Sequence, residues 1–118
     1  MQRKVLAIFE TPTVFLLEST TPEIVSALGI NPELELTILL RKDGVAYADK
    51  TKKVGSDRMT AGKAWESIRS LFKGDIYVVK EDVEQRGIPA GRIVSQLELI
   101  QRKDVARLID KSNTIMVY

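Results

Sequence analysis

The chain has 118 residues, 44% of them hydrophobic and 29% charged, with a formal net charge of +2. That is the length of one domain, with enough apolar material for a core that needs no disulfide or metal staple. It contains no cysteine and no histidine, which excludes disulfides, persulfide carriage, thiolate nucleophiles and Cys-based zinc or iron–sulfur sites from this sequence.

The elements follow in chain order. Lys4 to Phe9 (KVLAIF) is a near-continuous apolar run, the pattern of a strand buried on both faces of a parallel sheet. Glu10-Thr11-Pro12 ends it, and Thr13 to Leu17 is ambiguous between a helix start and an extended piece. Thr20 and Glu23 have the spacing of a capping box. Ile24, Val25 and Leu28 then share a helical face, and Gly29 stops it. Leu34 to Leu40 reads as a second strand, closed by Asp43-Gly44. Asp49 to Met59 is polar and reads as a surface loop. Thr60 is placed to cap a helix with Ala64, Trp65, Ile68, Leu71 and Phe72 on its buried face, ended by Gly74.

Ile76 to Val79 is the third strand, and Val83 and the residues around it form about one helical turn ended by Gly87. Pro89 and Gly91 mark an irregular segment. Leu97 to Ile100 is the fourth strand. Lys103 to Lys111 is a helix with Val105, Leu108 and Ile109 inward, Asn113 a cap, and Thr114 to Tyr118 the last strand. This alternation predicts one α/β domain over residues 1–118, a three-layer α/β/α arrangement with about five mostly parallel strands. Arg3-Lys4 precede too short an apolar run for a signal peptide, and no run approaches the ~18 apolar residues of a membrane span. A soluble cytoplasmic protein with no membrane contact is the expectation.

In such sheets, sites form where strands end. The acidic breaks at Asp43-Gly44 and Glu81-Asp82 are therefore the first candidates. Glu81, Asp82 and Glu84 have the chemistry of acids, bases or hard-metal ligands, but carboxylates in a first turn also favour the positive end of the helix. Gly55 to Lys63 (GSDRMTAGK) lacks Walker A spacing, and Ala64 stands where the Ser/Thr should be. Lys50, Lys52 and Lys53, with Arg58 and Lys63, form the densest basic stretch. The first three are candidate phosphate contacts on an otherwise solvated loop. The serines have no histidine to activate them, and none sits in a nucleophile elbow. No catalytic residue, cofactor or metal is assigned.

Taken together, these pieces resemble the DsrH/TusB family of sulfur-relay subunits. Asp43-Gly44-Val45-Ala46-Tyr47 is similar to the family's DGV segment after its second strand. Ile76 to Gly87, with Glu81, Asp82, Arg86 and Gly87, is similar to its strand followed by ED-x-x-x-RG, and Leu97 to Tyr118 to its closing strand–helix–strand. The resemblance implies a DsrE-like fold and a role beside cysteine-bearing DsrE/DsrF (TusD/TusC)-like partners in a homo- or hetero-oligomer. It also implies an indirect link to tRNA 2-thiouridylation or to sulfur oxidation. Asp43, Gly44, Val45, Tyr47, Glu81, Asp82, Arg86 and Gly87 carry over as loop-forming or interface residues. Without cysteine the chain cannot itself carry persulfide, so a non-catalytic docking subunit is expected, with the C-terminal strand Ile115 to Tyr118 as a contact. The segment 11–32 and the loop 49–59 are longer than the family's. Two alternatives remain: an RNA- or nucleotide-binding module using the lysine loop, and an enzyme using Asp43, Glu81 or Asp82.

Overall fold

Each strand of this protein divides its side chains between two cores. In the computed structural model, which describes residues 3–11, 33–54, 59–71 and 74–118, β1 (Arg3–Phe9) sends Val5, Ala7 and Phe9 to one face and Leu6 and Ile8 to the other. The period of two in side-chain direction turns an unbroken apolar run into a strand buried twice. β2 (Leu34–Leu40) behaves alike, with Leu36, Ile38 and Leu40 on the first face and Leu39 on the second.

The chain continues through a 3₁₀ helix (Lys42–Ala48), β3 (Lys53–Val54), β4 (Met59–Thr60), α1 (Ala61–Leu71), β5 (Ile76–Val79) and α2 (Lys80–Gln85). A short 3₁₀ turn (Ala90–Arg92), β6 (Glu98–Ile100), a second such turn (Arg102–Asp104), α3 (Val105–Lys111) and β7 (Thr114–Val117) complete it. The sheet runs β6-β5-β2-β1-β7 with every described pairing parallel. α1 lays Ala61, Ala64, Trp65 and Ile68 on the first core, and α3 lays Val105, Leu108 and Ile109 on the second. The fold is thus a three-layer α/β arrangement, as the alternating pattern predicts.

The largest buried side chain, Trp65, is 0% exposed. Its indole Nε1–H donates to the Tyr47 carbonyl at 2.8 Å, so the ring fills the core without stranding its polar atom. Thr60 caps α1 as expected, accepting from the Lys63 amide at 3.4 Å.

Several expectations are corrected. The 49–59 stretch is not wholly loop: Lys53–Val54 pair antiparallel with Met59–Thr60, and Asp49 bridges Ile93. Asn113 does not cap the last helix. Its Oδ1 accepts from the Lys4 amide and its own amide donates to the Lys4 carbonyl, both at 2.8 Å, so it starts the β7–β1 ladder. Ser112 serves the helix end, its amide donating to Ile109 and its hydroxyl to Leu108. The Asp43-Gly44 break is a 3₁₀ helix and not an open loop. The predicted features between Thr13 and Gly29, the Leu71 side chain and Phe72 lie outside the described residues.

Two glycines are required for different reasons. A Cβ on Gly44 would lie 2.0 Å from the Phe9 carbonyl oxygen, because the 3₁₀ helix abuts the end of β1. Gly87 has open space around it but a φ of +67°, where an L side chain is strained. Gly44→Ala is therefore expected to destabilise the fold by about 3 kcal/mol or more through displaced backbone, and Gly87→Ala by only about 1 kcal/mol. Urea melts of the two variants check this, and equal losses would contradict it. Trp65→Ala should cost about 3–5 kcal/mol, read in the same way.

Candidate functional site at the strand ends

The carboxyl ends of β2, β5 and β6 converge on one carboxylate. Asp82, in the first turn of α2, is only 5% exposed. Its Oδ2 accepts from the Lys42 backbone N–H at 2.7 Å, and its Oδ1 accepts from Arg102 Nη2 at 2.6 Å. Arg86, one turn along α2, brings its Nη1 to 4.0 Å from the same Oδ1 and donates to the Asp82 carbonyl at 3.3 Å. Burial alone pushes the Asp82 carboxyl up. The Lys42 amide, the Arg102 hydrogen bond and the two guanidinium charges outweigh that and hold it below its ordinary value.

Around it lies a second layer of pairs. Glu10, just past β1, takes Arg41 Nε at 2.8 Å and Lys42 Nζ at 3.1 Å. Here too burial raises the carboxyl, and the hydrogen bonds and charges of Lys42 and Arg41 bring it below the usual range. Both oxygens of Glu81 accept from the Arg102 amide at 2.9 Å, and Arg86 forks onto Asp43 Oδ1 at 2.8 and 3.0 Å. Lys42 sits at a φ of +52°, a left-handed conformation rare for a lysine. The strained residue is the one whose amide meets Asp82, so the strain and the clamp fall at one position. A cleft of about 260 Å³ between Arg41, Lys42, Asp82, Arg86 and Arg102 opens onto these groups.

On the other side of Arg86 runs a wider groove of about 500 Å³, lined by Asp43, Ala46, Asp49, Lys52, Arg86, Ile88 and Arg92. It is built by tying the 88–97 segment to the end of the first 3₁₀ helix: the Lys50 amide donates to Arg92 and the Val94 amide to Ala48. Asp49 Oδ2 takes Arg92 Nη2 at 2.9 Å, while its Oδ1 takes the amide and hydroxyl of Thr51. Burial raises the Asp49 carboxyl, but Thr51 and Arg92 leave it below its ordinary value.

The structure sorts the sequence-predicted residues. Asp43, Glu81, Asp82 and Arg86 meet in one network. Gly44, Val45 and Tyr47 are buried supports, and Gly87 is the turn that returns the chain. Lys52 enters the groove with its ammonium 5.5 Å from the Tyr47 ring centroid, whereas Lys50 and Lys53 are exposed. Glu81 and Asp82 do more than face a helix end, since they bind the backbone after β2 and after β6. For an acid–base enzyme, Asp82 is shifted the wrong way: a general acid needs a raised carboxyl. Sequence reasoning missed Glu10, Arg41, Lys42 and Arg102 as site residues. All four lie within two residues of a strand's end, but that position alone does not show which of them meet. Among the described residues no group of three or more carboxylates is arranged to hold a metal ion, and no helix is long and apolar enough to cross a membrane.

Asp82→Ala removes one member of a buried charged cluster and is expected to cost about 3–5 kcal/mol. The lowered carboxyls of Asp82, Glu10 and Asp49 contribute stability that is present above their ordinary pKa and lost as pH falls through the lowered values. Urea stability should therefore hold from neutral pH down to about 5 and fall below about 4. A protein most stable at pH 3 would contradict this.

No family model matches the chain, and no curated protein matches its sequence. Solved structures do. The YchN protein from E. coli superposes with a TM-score of 0.75 at 17% identity over 100% of each chain. The protein of unknown function MTH1491 from Methanobacterium thermoautotrophicum gives 0.64 at 12% identity, over 98% of this chain and 99% of its own. At such identities the likeness is one of fold: a five-stranded parallel sheet with flanking helices.

Proposed function

We propose that this chain is a non-catalytic docking subunit of a sulfur relay, of the DsrH/TusB kind, that binds cysteine-bearing DsrE/DsrF (TusD/TusC)-like partners. The observation that carries the reading is a DsrE-like sheet in a sequence with no cysteine. Such a chain has the shape of a relay protein and no atom on which to carry sulfane sulfur. The strand-end cluster agrees with that role, because its carboxylates hold backbone and guanidinium groups and its most buried one, Asp82, is lowered where a general acid would be raised.

The contact surface proposed is the β7 edge. Ile115, Val117 and Tyr118 are 41%, 55% and 45% exposed, on a strand whose pairing among the described residues is with β1 alone. An edge of this kind offers unpaired backbone groups and apolar side chains together, which suits sheet-to-sheet or strand-addition docking. Tyr118 is held in place by stacking on Phe9, with ring centroids 4.9 Å apart. A role in tRNA 2-thiouridylation would follow from the partners, as an indirect link, and cytoplasmic residence goes with it. The alternative of an RNA- or nucleotide-binding module rests on Lys50, Lys52 and Lys53, of which Lys52 borders the groove.

The test mixes the purified protein with purified DsrE/DsrF-like proteins and reads assembly by native mass spectrometry. The reading expects a complex of fixed stoichiometry that is lost in Ile115→Lys/Val117→Asp, while the variant melts as the parent does. A chain that stays apart from every such partner would refute it. Binding to RNA at low salt, weakened when Lys50, Lys52 and Lys53 are neutralised, would favour the alternative.

A further inference from the structure

The groove beside Arg86 has a charge balance that the docking role does not use. Its lining contains three cations, Lys52, Arg86 and Arg92, and two carboxylates, Asp43 and Asp49. Each carboxylate is occupied by one arginine, Asp43 by Arg86 and Asp49 by Arg92. Asp49 has its second oxygen filled by Thr51 as well. Among the described residues Lys52 pairs with no carboxylate and rests on the Tyr47 ring. One positive charge is therefore in excess, and it stands at the groove wall.

The backbone that carries this charge is anchored. The Lys52 amide donates to the Asp49 carbonyl and its own carbonyl accepts from the Ala61 amide at 2.8 Å, so the backbone beneath the ammonium is held from both sides. The two guanidinium groups are likewise locked by their carboxylates, leaving little ordering to be done when a ligand arrives. Between the charged walls the lining is apolar, with Ala46, the half-buried Ile88 and the aliphatic stems of the long side chains. A volume of about 500 Å³ is within the range of small-molecule sites.

We propose that this groove binds a small amphiphilic monoanion, an apolar ring or chain bearing one carboxylate, with the carboxylate on Lys52 and the body on Ala46 and Ile88. A single negative charge matches the single excess cation, whereas a phosphate dianion would leave the groove negative and compete with Asp43 and Asp49 for the arginines. The site is independent of the β7 edge, so it stands or falls separately from the relay role.

The probe is 1-naphthoate, titrated into the ¹⁵N-labelled protein, with its neutral isostere 1-naphthamide and the dianion 1-naphthyl phosphate as comparisons. Saturable amide shifts centred on Ala46, Asp49, Lys52, Ile88 and Arg92 are expected with naphthoate. Naphthamide should bind about tenfold more weakly or worse, since it forgoes a charge-assisted hydrogen bond, and naphthyl phosphate no more tightly than naphthoate. Lys52→Met should lower naphthoate affinity by a similar factor with an unchanged melt, and Lys52→Arg should restore it. The proposal is overturned by absent binding at millimolar naphthoate, by equal binding of naphthamide, by tighter binding of the dianion, or by an unchanged affinity in Lys52→Met. It is equally overturned if a single-stranded oligonucleotide shifts the same amides and naphthoate does not displace it. Should Lys52→Met fail to fold, Ile88→Glu, which places a like charge beside the ligand's, must abolish naphthoate binding.

Discussion

The buried carboxylate of Asp82 is the constraint on which the strand ends depend. A carboxylate 5% exposed is tolerable only if its charge is met, and the partners that meet it come from three places: the backbone after β2, the α2 helix itself, and the turn after β6. Three strand ends are thereby drawn onto one atom pair. Immediately after the amide that meets it, the chain turns through a left-handed Lys42, and that bend leads into the 3₁₀ helix that follows. Gly44 then meets the Phe9 carbonyl, and Val45 and Tyr47 enter the core. From there the dependence reaches Trp65, whose indole donates to the Tyr47 carbonyl. The clamp and the core thus share one short segment, Lys42–Ala48.

The sheet and its two faces were legible in the sequence because they rest on local pattern. KVLAIF and LTILL are near-continuous apolar runs, and a doubly covered parallel strand suits that better than a half-exposed one. The spacing of Ala64, Trp65 and Ile68 likewise left one helical face to bury. The site was legible only in part. Asp82 and Arg86 stood out as polar residues just past a strand. Their partners did not, because Lys42 and Arg102 are 40 and 20 residues from Asp82 in the chain. Lys42 moreover contributes its backbone amide, which side-chain identity cannot reveal. The groove was hidden for the same reason: both its ion pairs, Asp43–Arg86 and Asp49–Arg92, join residues 43 apart. Asn113 looked like a helix cap because asparagine caps helices; that it would instead join a ladder to Lys4 depended on β1 and β7 being neighbours, a tertiary fact.

The strand ends of this chain are occupied by ion pairs. The topology places a cleft where parallel sheets ordinarily hold their chemistry, and this chain fills it with ion pairs. Carboxylates engaged by amides and guanidinium groups stabilise a surface and orient loops. Of these, Asp82, Glu10 and Asp49 are held below their ordinary values. On the proposals made above, binding would use the apolar β7 edge for a protein partner and the Lys52 groove for a small anion.

The claim that Asp82 is a permanently ionised clamp can be measured directly by a ¹³C-detected NMR titration of its carboxyl in the folded protein. The account predicts a midpoint below the ordinary 3.8, with the Lys42 amide resonance moving at the same midpoint as its hydrogen bond is lost. A midpoint above 3.8, or a Lys42 amide indifferent to the titration, would contradict the clamp and return Asp82 to consideration as an acid.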